Sequence, residues 1–580
     1  MVKTVNRQLK QAWISGCGAL LFIFSGNIFA QNVSPSETPT LQPQALKTVG
    51  IYDLRAQDPN LTGQGVRVGV IARSVNYDGD TVLNDYQPNT VHEAFSSANF
   101  GLFDDGTSEP NVSFHASAVC SILFGQEEWV DSDQWGLFRY QGAVPDAQAK
   151  VYELNYFLKT TAVEPDLDLG LDVISLSWGW DGEDWWTRYF EALAQHQGIP
   201  VVASIGNGDD AYHRPLYPGA SANVIGVGVV DSVTTANMQT AMEFFGLPRP
   251  EHSSCGPTDD HRAKPDLVAP SHCLVASPED ANTYEATGNW SSYAAPVVSG
   301  VVGMLVQKAG MDSSLSAAVS RRGGNLVIKS LLMTGATKLP FWHKGEIGLE
   351  DDHDTPLDHV QGAGMVNAMA SYDLLTAGQQ ATGLTTPRGW DLNELSTPSP
   401  FQVYEFSVND ADQMITATLN WNRHYDLTGQ FNRQTAKNTD LRLELWAVDP
   451  NDPGRDEMID HSDSLIDNVE HLHSSAREGY TRYQLVVVMH TEDATTPLSE
   501  RYALAWSVTE QPDQNDLLWN DLNADGIVNA QDYQVLMNNF STMDSPARYA
   551  IGDVNTDGAI DEKDLAILVS NGNKQADWYQ

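Results

Sequence analysis

Trp290-Ser-Ser292-Tyr-Ala-Ala-Pro296-Val-Val-Ser-Gly300 is the stretch on which the fold turns. Small and apolar residues continue from Ala294 to Lys308, which predicts a buried helix opening close to Ser292. Proline suits the first turn of a helix, where its missing N–H costs nothing, and Pro296 is expected there. A hydroxyl at a helix N-terminus lies beside free backbone N–H groups, which favour negative charge developing next to it. Alone, a serine in such a place is a cap.

Two further stretches change its meaning. Ser113-Phe-His115-Ala-Ser-Ala-Val-Cys-Ser-Ile-Leu-Phe-Gly125 puts a histidine at the head of an apolar helix, with small residues that let it pack closely. Val201-Val-Ala-Ser-Ile-Gly-Asn207 ends a buried strand on an asparagine. A serine hydroxyl is a poor nucleophile until a base takes its proton, and a carboxamide N–H can donate to the oxyanion that follows. Val66–Ile71, Asp172–Ser177 and Gly198–Ser204 read as strands, with helical stretches between and after them. Strands alternating with helices predict a parallel sheet covered on both faces, over residues 48–378.

These pieces, in this order, resemble the subtilisin-like (S8) serine protease family over about 330 residues. Ser177-Trp-Gly179, Tyr217-Pro, Asn223-Val-Ile-Gly-Val-Gly228, Lys264-Pro-Asp-Leu-Val-Ala-Pro270 and Gly362-Ala-Gly-Met-Val-Asn367 fit the family's flanks. The resemblance implies an α/β fold and an endopeptidase acting on protein or peptide. Ser292 would be its nucleophile, His115 its general base and Asn207 its oxyanion donor, while Ser177 and Gly179 pair with the substrate backbone.

One family residue is missing. The aspartate that orients the histidine closes the first strand, and here Val68-Gly-Val-Ile-Ala-Arg-Ser74 puts Ala72 or Arg73 in its place. Three readings stay open: Asp78 or Asp80 folds back as the acid, the site works as a Ser–His dyad, or the domain is a non-catalytic peptide-binding or scaffold relative. Only 17 residues, 31–47, lie between the leader described below and the α/β pattern, too few for the folding propeptide usual in the family.

After residue 386 the apolar period changes to two, at Tyr404–Val408, Ile415–Trp421, Leu441–Trp446 and Tyr483–Met489, which predicts an all-β sandwich over 386–510. Residues 517–575 contain a repeat, Asp521-Leu-Asn-Ala-Asp-Gly-Ile-Val-Asn-Ala-Gln-Asp532 and Asp553-Val-Asn-Thr-Asp-Gly-Ala-Ile-Asp-Glu-Lys-Asp564. Each copy offers oxygen ligands at loop positions 1, 3, 5, 9 and 12: Asp521, Asn523, Asp525, Asn529 and Asp532, then Asp553, Asn555, Asp557, Asp561 and Asp564. Ile527 and Ala559 fill position 7, where a backbone carbonyl serves, and glycine at position 6 permits the turn that converges the set on Ca²⁺. Twin loops, each followed by one helix (Tyr533–Phe540, Leu565–Val569), resemble a type I dockerin. That resemblance implies two Ca²⁺ sites and docking to a cohesin-bearing protein.

The rest of the composition agrees with an exported, modular chain. Asp and Glu total 76 against 33 Lys and Arg, a net charge of −43 that argues against nucleic acid or an anionic membrane as partner. Lys3, Arg7 and Lys10, the glycine-broken apolar run Ala12–Phe29 and the small Ala30 read as a signal peptide over 1–30, hence a secreted or periplasmic protein with no membrane span after its removal. The Ser-, Pro-, Thr- and Gln-rich 31–47 reads as a linker. Four cysteines exclude a disulfide scaffold, although Cys255 and Cys273 suit a pair in an oxidising compartment. His471 and His473 share a strand face and read as a solvated pair.

Overall fold

In the α/β part, apolar residues fall on both sides of each central strand, so neither sheet face can meet water. Val201 and Ala203 pack into one apolar cluster and Val202 into another, and Val173 and Ile174 divide in the same way. The computed structural model describes residues 39–572 except 74–76, 79–80, 83–84, 107–110, 209–213, 233–247, 249–251, 340–341, 346–351, 410, 412, 435–438, 491–497, 511–521, 523–526, 541–551, 553–559 and 571. The signal-peptide reading of 1–30 therefore lies outside the described residues.

Seven strands form the main sheet: β1 (Arg67–Ala72), β2 (Asn99–Phe103), β3 (Gln148–Glu153), β4 (Val173–Leu176), β5 (Val201–Ser204), β6 (Ile225–Val230) and β7 (Leu267–Pro270). All pair in parallel, in the order β7-β6-β5-β4-β1-β3-β2. One face carries α1 (Phe114–Phe124) and the long α4 (Ser291–Met311); α2 (Leu154–Thr161) and α3 (Trp185–Gln197) belong to the cluster on the other. By length and composition α4 could cross a membrane, but 83% of its most apolar window is buried inside the fold, where it packs across β4 to β7. Ser299 on α4 donates to Ser175 on β4 at 2.9 Å, a buried pair that fixes the helix along the strand.

Beyond α5 (Gly324–Thr334) and α6 (Ala368–Ala377) come two antiparallel sheets. Their strands are β8 (Arg388–Ser396), β9 (Phe401–Ser407), β10 (Gln413–Trp421), β11 (Leu441–Val448), β12 (Glu457–Ser462), β13 (Val469–Ser475), β14 (Arg482–Met489) and β15 (Ser499–Glu510). The four-stranded sheet runs β8-β15-β10-β13; the other runs β9-β14-β11-β12, with Gly383–Leu384 added beside β9. The fold class is thus the expected one, an α/β domain joined to a β-sandwich, with the two helices α7 (Ala530–Asn538) and α8 (Glu562–Ser570) in the C-terminal segment.

Three expectations are corrected. Part of the linker is ordered: Thr40–Gln42 pairs in parallel with Phe138–Tyr140, and the short helix Gln44–Thr48 buries Ala45 and Leu46 completely. Its glutamines serve the backbone, Gln42 Oε1 accepting from the Gln44 N–H (3.1 Å) and Gln44 Nε2 donating to the Leu41 carbonyl (2.6 Å), which is why polar composition concealed order. His471 is buried, not solvated: Lys338 Nζ stands 2.8 Å from its Nε2 and Trp342 packs against the same strand face. Cys255 and Cys273 are buried thiols with no disulfide between them.

The sheet is also tied by a buried ion triad. Lys264 Nζ donates to Asp266, and Lys329 Nζ of α5 lies 2.8 Å from the other oxygen of the same carboxylate. Asp266→Asn leaves two buried ammonium groups without their counter-charge. It should lower stability by about 3–5 kcal/mol, read as an earlier denaturant midpoint. A midpoint within about 0.5 kcal/mol of the parent's would refute that role.

Candidate active site

The carboxyl ends of the parallel strands and the start of α4 converge on one place, the usual position for a site in an open α/β sheet. Trp290 stands in extended conformation before α4 (φ −135°, ψ 135°), and Ser291 and Ser292 are the first two helical residues. Pro296 is the sixth, not in the first turn, so it withholds the N–H that would otherwise bond the Ser292 carbonyl.

Ser291 fixes the asparagine. Its N–H and its hydroxyl both donate to Asn207 Oδ1, at 2.9 and 2.8 Å. A backbone N–H can only donate, so the acceptor end of the Asn207 amide is assigned and its NH₂ end points away from Ser291. The Ser291 hydroxyl accepts in turn from the Gly206 N–H (3.1 Å). Gly206 holds φ +121°, and a Cβ there would stand 2.3 Å from Ser254 Oγ, so only glycine fits.

Ser292 Oγ donates to the carbonyl of Ser177 at 3.1 Å, directly beyond the end of β4. The Ser177 hydroxyl is buried without a partner among the described residues. The chain then runs past Gly179 to Trp180, which exchanges two backbone hydrogen bonds with Tyr217 (2.7 and 2.9 Å). A Cβ on Gly179 would meet Leu216 Cβ at 2.6 Å, so this segment lies flush against its neighbour.

His115 sits in the first turn of α1, which Ser113 caps by accepting from the Ala116 N–H (3.2 Å). Its ring lies 5.8 Å, centroid to centroid, from that of Tyr293, the residue after Ser292. Loss of water around the imidazole pulls its pKa down to about 4, and the charge of Asp85 works in the opposite direction. Ser292, Asn207, Ser177 and His115 are therefore gathered by direct bonds or through immediate neighbours in sequence.

The acid is where sequence reasoning falls short. Ala72 closes β1 as a buried residue, and the Arg73 guanidinium stacks 5.5 Å from the Trp180 ring centroid, a cation–π contact. Asp80 and the side chain of Asp78 lie outside the described residues. One residue that matters was missed: Ser291 was hidden because it reads as one of two serines in a helix cap.

In the C-terminal repeat, Asp521, Asn523, Asp525, Asp553, Asn555, Asp557 and Ala559 lie outside the described residues, whereas Ile527, Asn529, Asp532, Asp561 and Asp564 are described. Asp532 and Asp564, each the twelfth loop residue, are fully buried. Asp532 accepts from the N–H groups of Leu522 (2.7 Å) and Asn529 (2.6 Å), and Asp564 from that of Asp561 (2.8 Å). Buried carboxylates at the same position of two repeated loops are oxygen donors of the kind a hard ion such as Ca²⁺ takes.

Residues 519–571 match the dockerin type I domain, a module that binds calcium. Pyrolysin of Pyrococcus furiosus is 27% identical over 237 residues, which cover 38% of this chain and 16% of that protein. A solved PatG macrocyclase in complex with peptide aligns with 56% of this chain and 95% of its own, at 16% identity and a TM-score of 0.39. Residues 63–364, more than half of the chain, match the subtilase family of S8 peptidases, and the chain belongs to that family.

Proposed function

We propose that this chain is a secreted serine endopeptidase, tethered to a cohesin-bearing protein through its calcium-loaded dockerin. One observation carries the reading: Asn207 is locked by Ser291 beside Ser292, with the NH₂ end of its amide free of that lock. Such a donor, placed in advance, is what an acyl-transfer oxyanion needs.

The steps follow from these groups. Ser292 Oγ attacks the peptide carbonyl carbon as His115 takes its proton. The carbonyl's π pair moves to oxygen, and the oxyanion is met by Asn207 Nδ2 and by the Ser292 N–H at the start of α4. When the tetrahedral species collapses, the C–N bond breaks and His115 gives the proton to the leaving amine. Water repeats the sequence on the acyl-enzyme. Ser177 and Gly179 hold the substrate as an added strand. In the dockerin, Asp521, Asn523, Asp525, Ile527, Asn529 and Asp532 would hold one Ca²⁺, and Asp553, Asn555, Asp557, Ala559, Asp561 and Asp564 a second.

Fluorophosphonate labelling of the purified protein tests the site. Labelling and peptide hydrolysis should both vanish in Ser292→Ala, and Asn207→Ala should cost on the order of 10²–10³ in kcat. Hydrolysis at the parent rate in Ser292→Ala would sink the reading. The imidazole must be neutral to act as base, so a pKa held near 4 keeps His115 competent over the whole range above it. kcat/KM should therefore fall only as pH drops through about 4; an acid limb at the ordinary 6.5 would contradict this.

Chelation tests the second module. Removing Ca²⁺ leaves the crowded carboxylates unscreened, so helical signal from α7 and α8 should be lost and return on titration with two equivalents. A C-terminal segment that keeps its structure in chelator would argue against ion-dependent folding.

A further inference from the structure

The arginine at the end of β1 has a place of its own beside the substrate strand. We infer that Arg73 is a specificity-determining residue of this site, its guanidinium binding a glutamate or aspartate side chain on the acyl side of the scissile bond. The inference rests on the reading of Ser292 as nucleophile and of Ser177 and Gly179 as the strand that holds the substrate.

Placement carries the argument. β1 and β4 pair in parallel, Val70 beside Ser175 and Ile71 beside Leu176. The same register brings the residues after Ile71 alongside Ser177 and Trp178. Trp178 Nε1 donates to the Ile71 carbonyl at 2.7 Å, which ties the two strand ends together at that level. Ser177 is the residue whose carbonyl takes the Ser292 hydroxyl, at 3.1 Å. From the end of β1 the Arg73 guanidinium reaches Trp180, 5.5 Å from the ring centroid. The charge therefore lies over the end of the segment Ser177–Trp180, which runs on from the contact with Ser292.

Its platform is fixed and open. Trp180 exchanges backbone hydrogen bonds with Tyr217 (2.7 and 2.9 Å) and follows Gly179, which packs flush against Leu216. The residue is nevertheless 50% exposed. A guanidinium stacked on a ring uses its face and keeps its N–H edge, a planar fork of donors that matches a carboxylate. Among the described residues Arg73 forms no ion pair, although acids outnumber bases 76 to 33 in this chain. Arg67, at the other end of β1, shows the contrast: its guanidinium is spent on both oxygens of Asp172, at 2.9 and 2.7 Å. Three residues of extended chain cover about 10 Å, so the carboxylate that Arg73 takes belongs within about three residues of the scissile bond.

The field of the whole chain works the other way. A net charge of −43 attracts cationic peptides, so a preference for an acidic one separates the local charge of Arg73 from the general field.

The test uses the full chain with Ca²⁺ bound and peptidyl coumarinylamides, whose scissile bond is fixed and whose residues all lie on the acyl side. Otherwise uncharged peptides carry Glu, Gln or Lys at each of the three positions before that bond in turn. At one position Glu should exceed Gln in kcat/KM by about 10-fold or more, and added salt should shrink the ratio. Arg73→Gln should erase this preference, and Arg73→Glu should turn it towards Lys. A merely structural role would change the rates on all the peptides together and leave their ratio standing. Equal rates on Glu and Gln peptides in the parent overturn the inference, as does a ratio that survives Arg73→Gln. If Arg73→Gln does not fold, Trp180→Leu decides: without the ring the fork loses its place, and an unchanged ratio in the folded Leu variant overturns the inference. A parent that neither labels with fluorophosphonate nor cleaves defeats the peptidase reading. Arg73 is then judged by calorimetric binding of the same peptides to the parent. The Glu peptide should bind at least about tenfold tighter than the Gln peptide; equal binding, or binding of neither, overturns the inference.

Discussion

The site depends on how closely two helices can approach. A Cβ on Gly300 of α4 would stand 2.2 Å from Ala143 Cβ, and one on Gly303 would stand 3.0 Å from Val144 Cγ1. The same turn is bonded to the end of α1: Ala143 N–H to Ile122 O at 2.8 Å and Val144 N–H to Leu123 O at 2.7 Å. The helix carrying Ser292 and the helix carrying His115 are thus clamped through one short segment. A side chain at Gly300 would force them apart, and close-packed interiors have little room for such a shift.

That clamp sets where the two helices begin relative to each other. Ser292 is held at the start of a 21-residue helix buried along most of its length, and the strands beneath it run in one direction, so their ends deliver Ser177 and Asn207 to the same edge. The polar groups are then arranged relative to each other by bonds to neighbours: Asn207 by Ser291, Ser291 by Gly206, and Trp178 by the Ile71 carbonyl (2.7 Å) at the end of β1. Pre-placed dipoles of this kind need no reorganisation when charge develops.

Much of this is legible in the residues. Val201-Val-Ala and Asp172-Val-Ile show the two-sided burial of a central strand, and the residues around Ser292, His115 and Asn207 specify their order and surroundings. What escapes sequence reading is whatever depends on a distant partner. The strand period correctly puts His471 and His473 on one face, but only the fold reveals that Trp342 and Lys338 cover it. The glutamines at 42 and 44 look like linker until their amides are seen bonding the backbone.

The seam between the α/β part and the sandwich has a consequence of its own. Asn420 of β10 donates to the Leu326 carbonyl (2.9 Å), Thr334 donates to Thr418 (2.9 Å), and Ser330 donates to the carbonyl of Ala503 (3.2 Å), all of them buried. The polar side of α5 is therefore satisfied by the sandwich and not by water. Topology changes character near residue 386, but solvation does not. A chain cut there would bare α5's hydroxyls and the sandwich groups they bond at once, so the part bearing Ser292 relies on the sandwich for the solvation of its own helix.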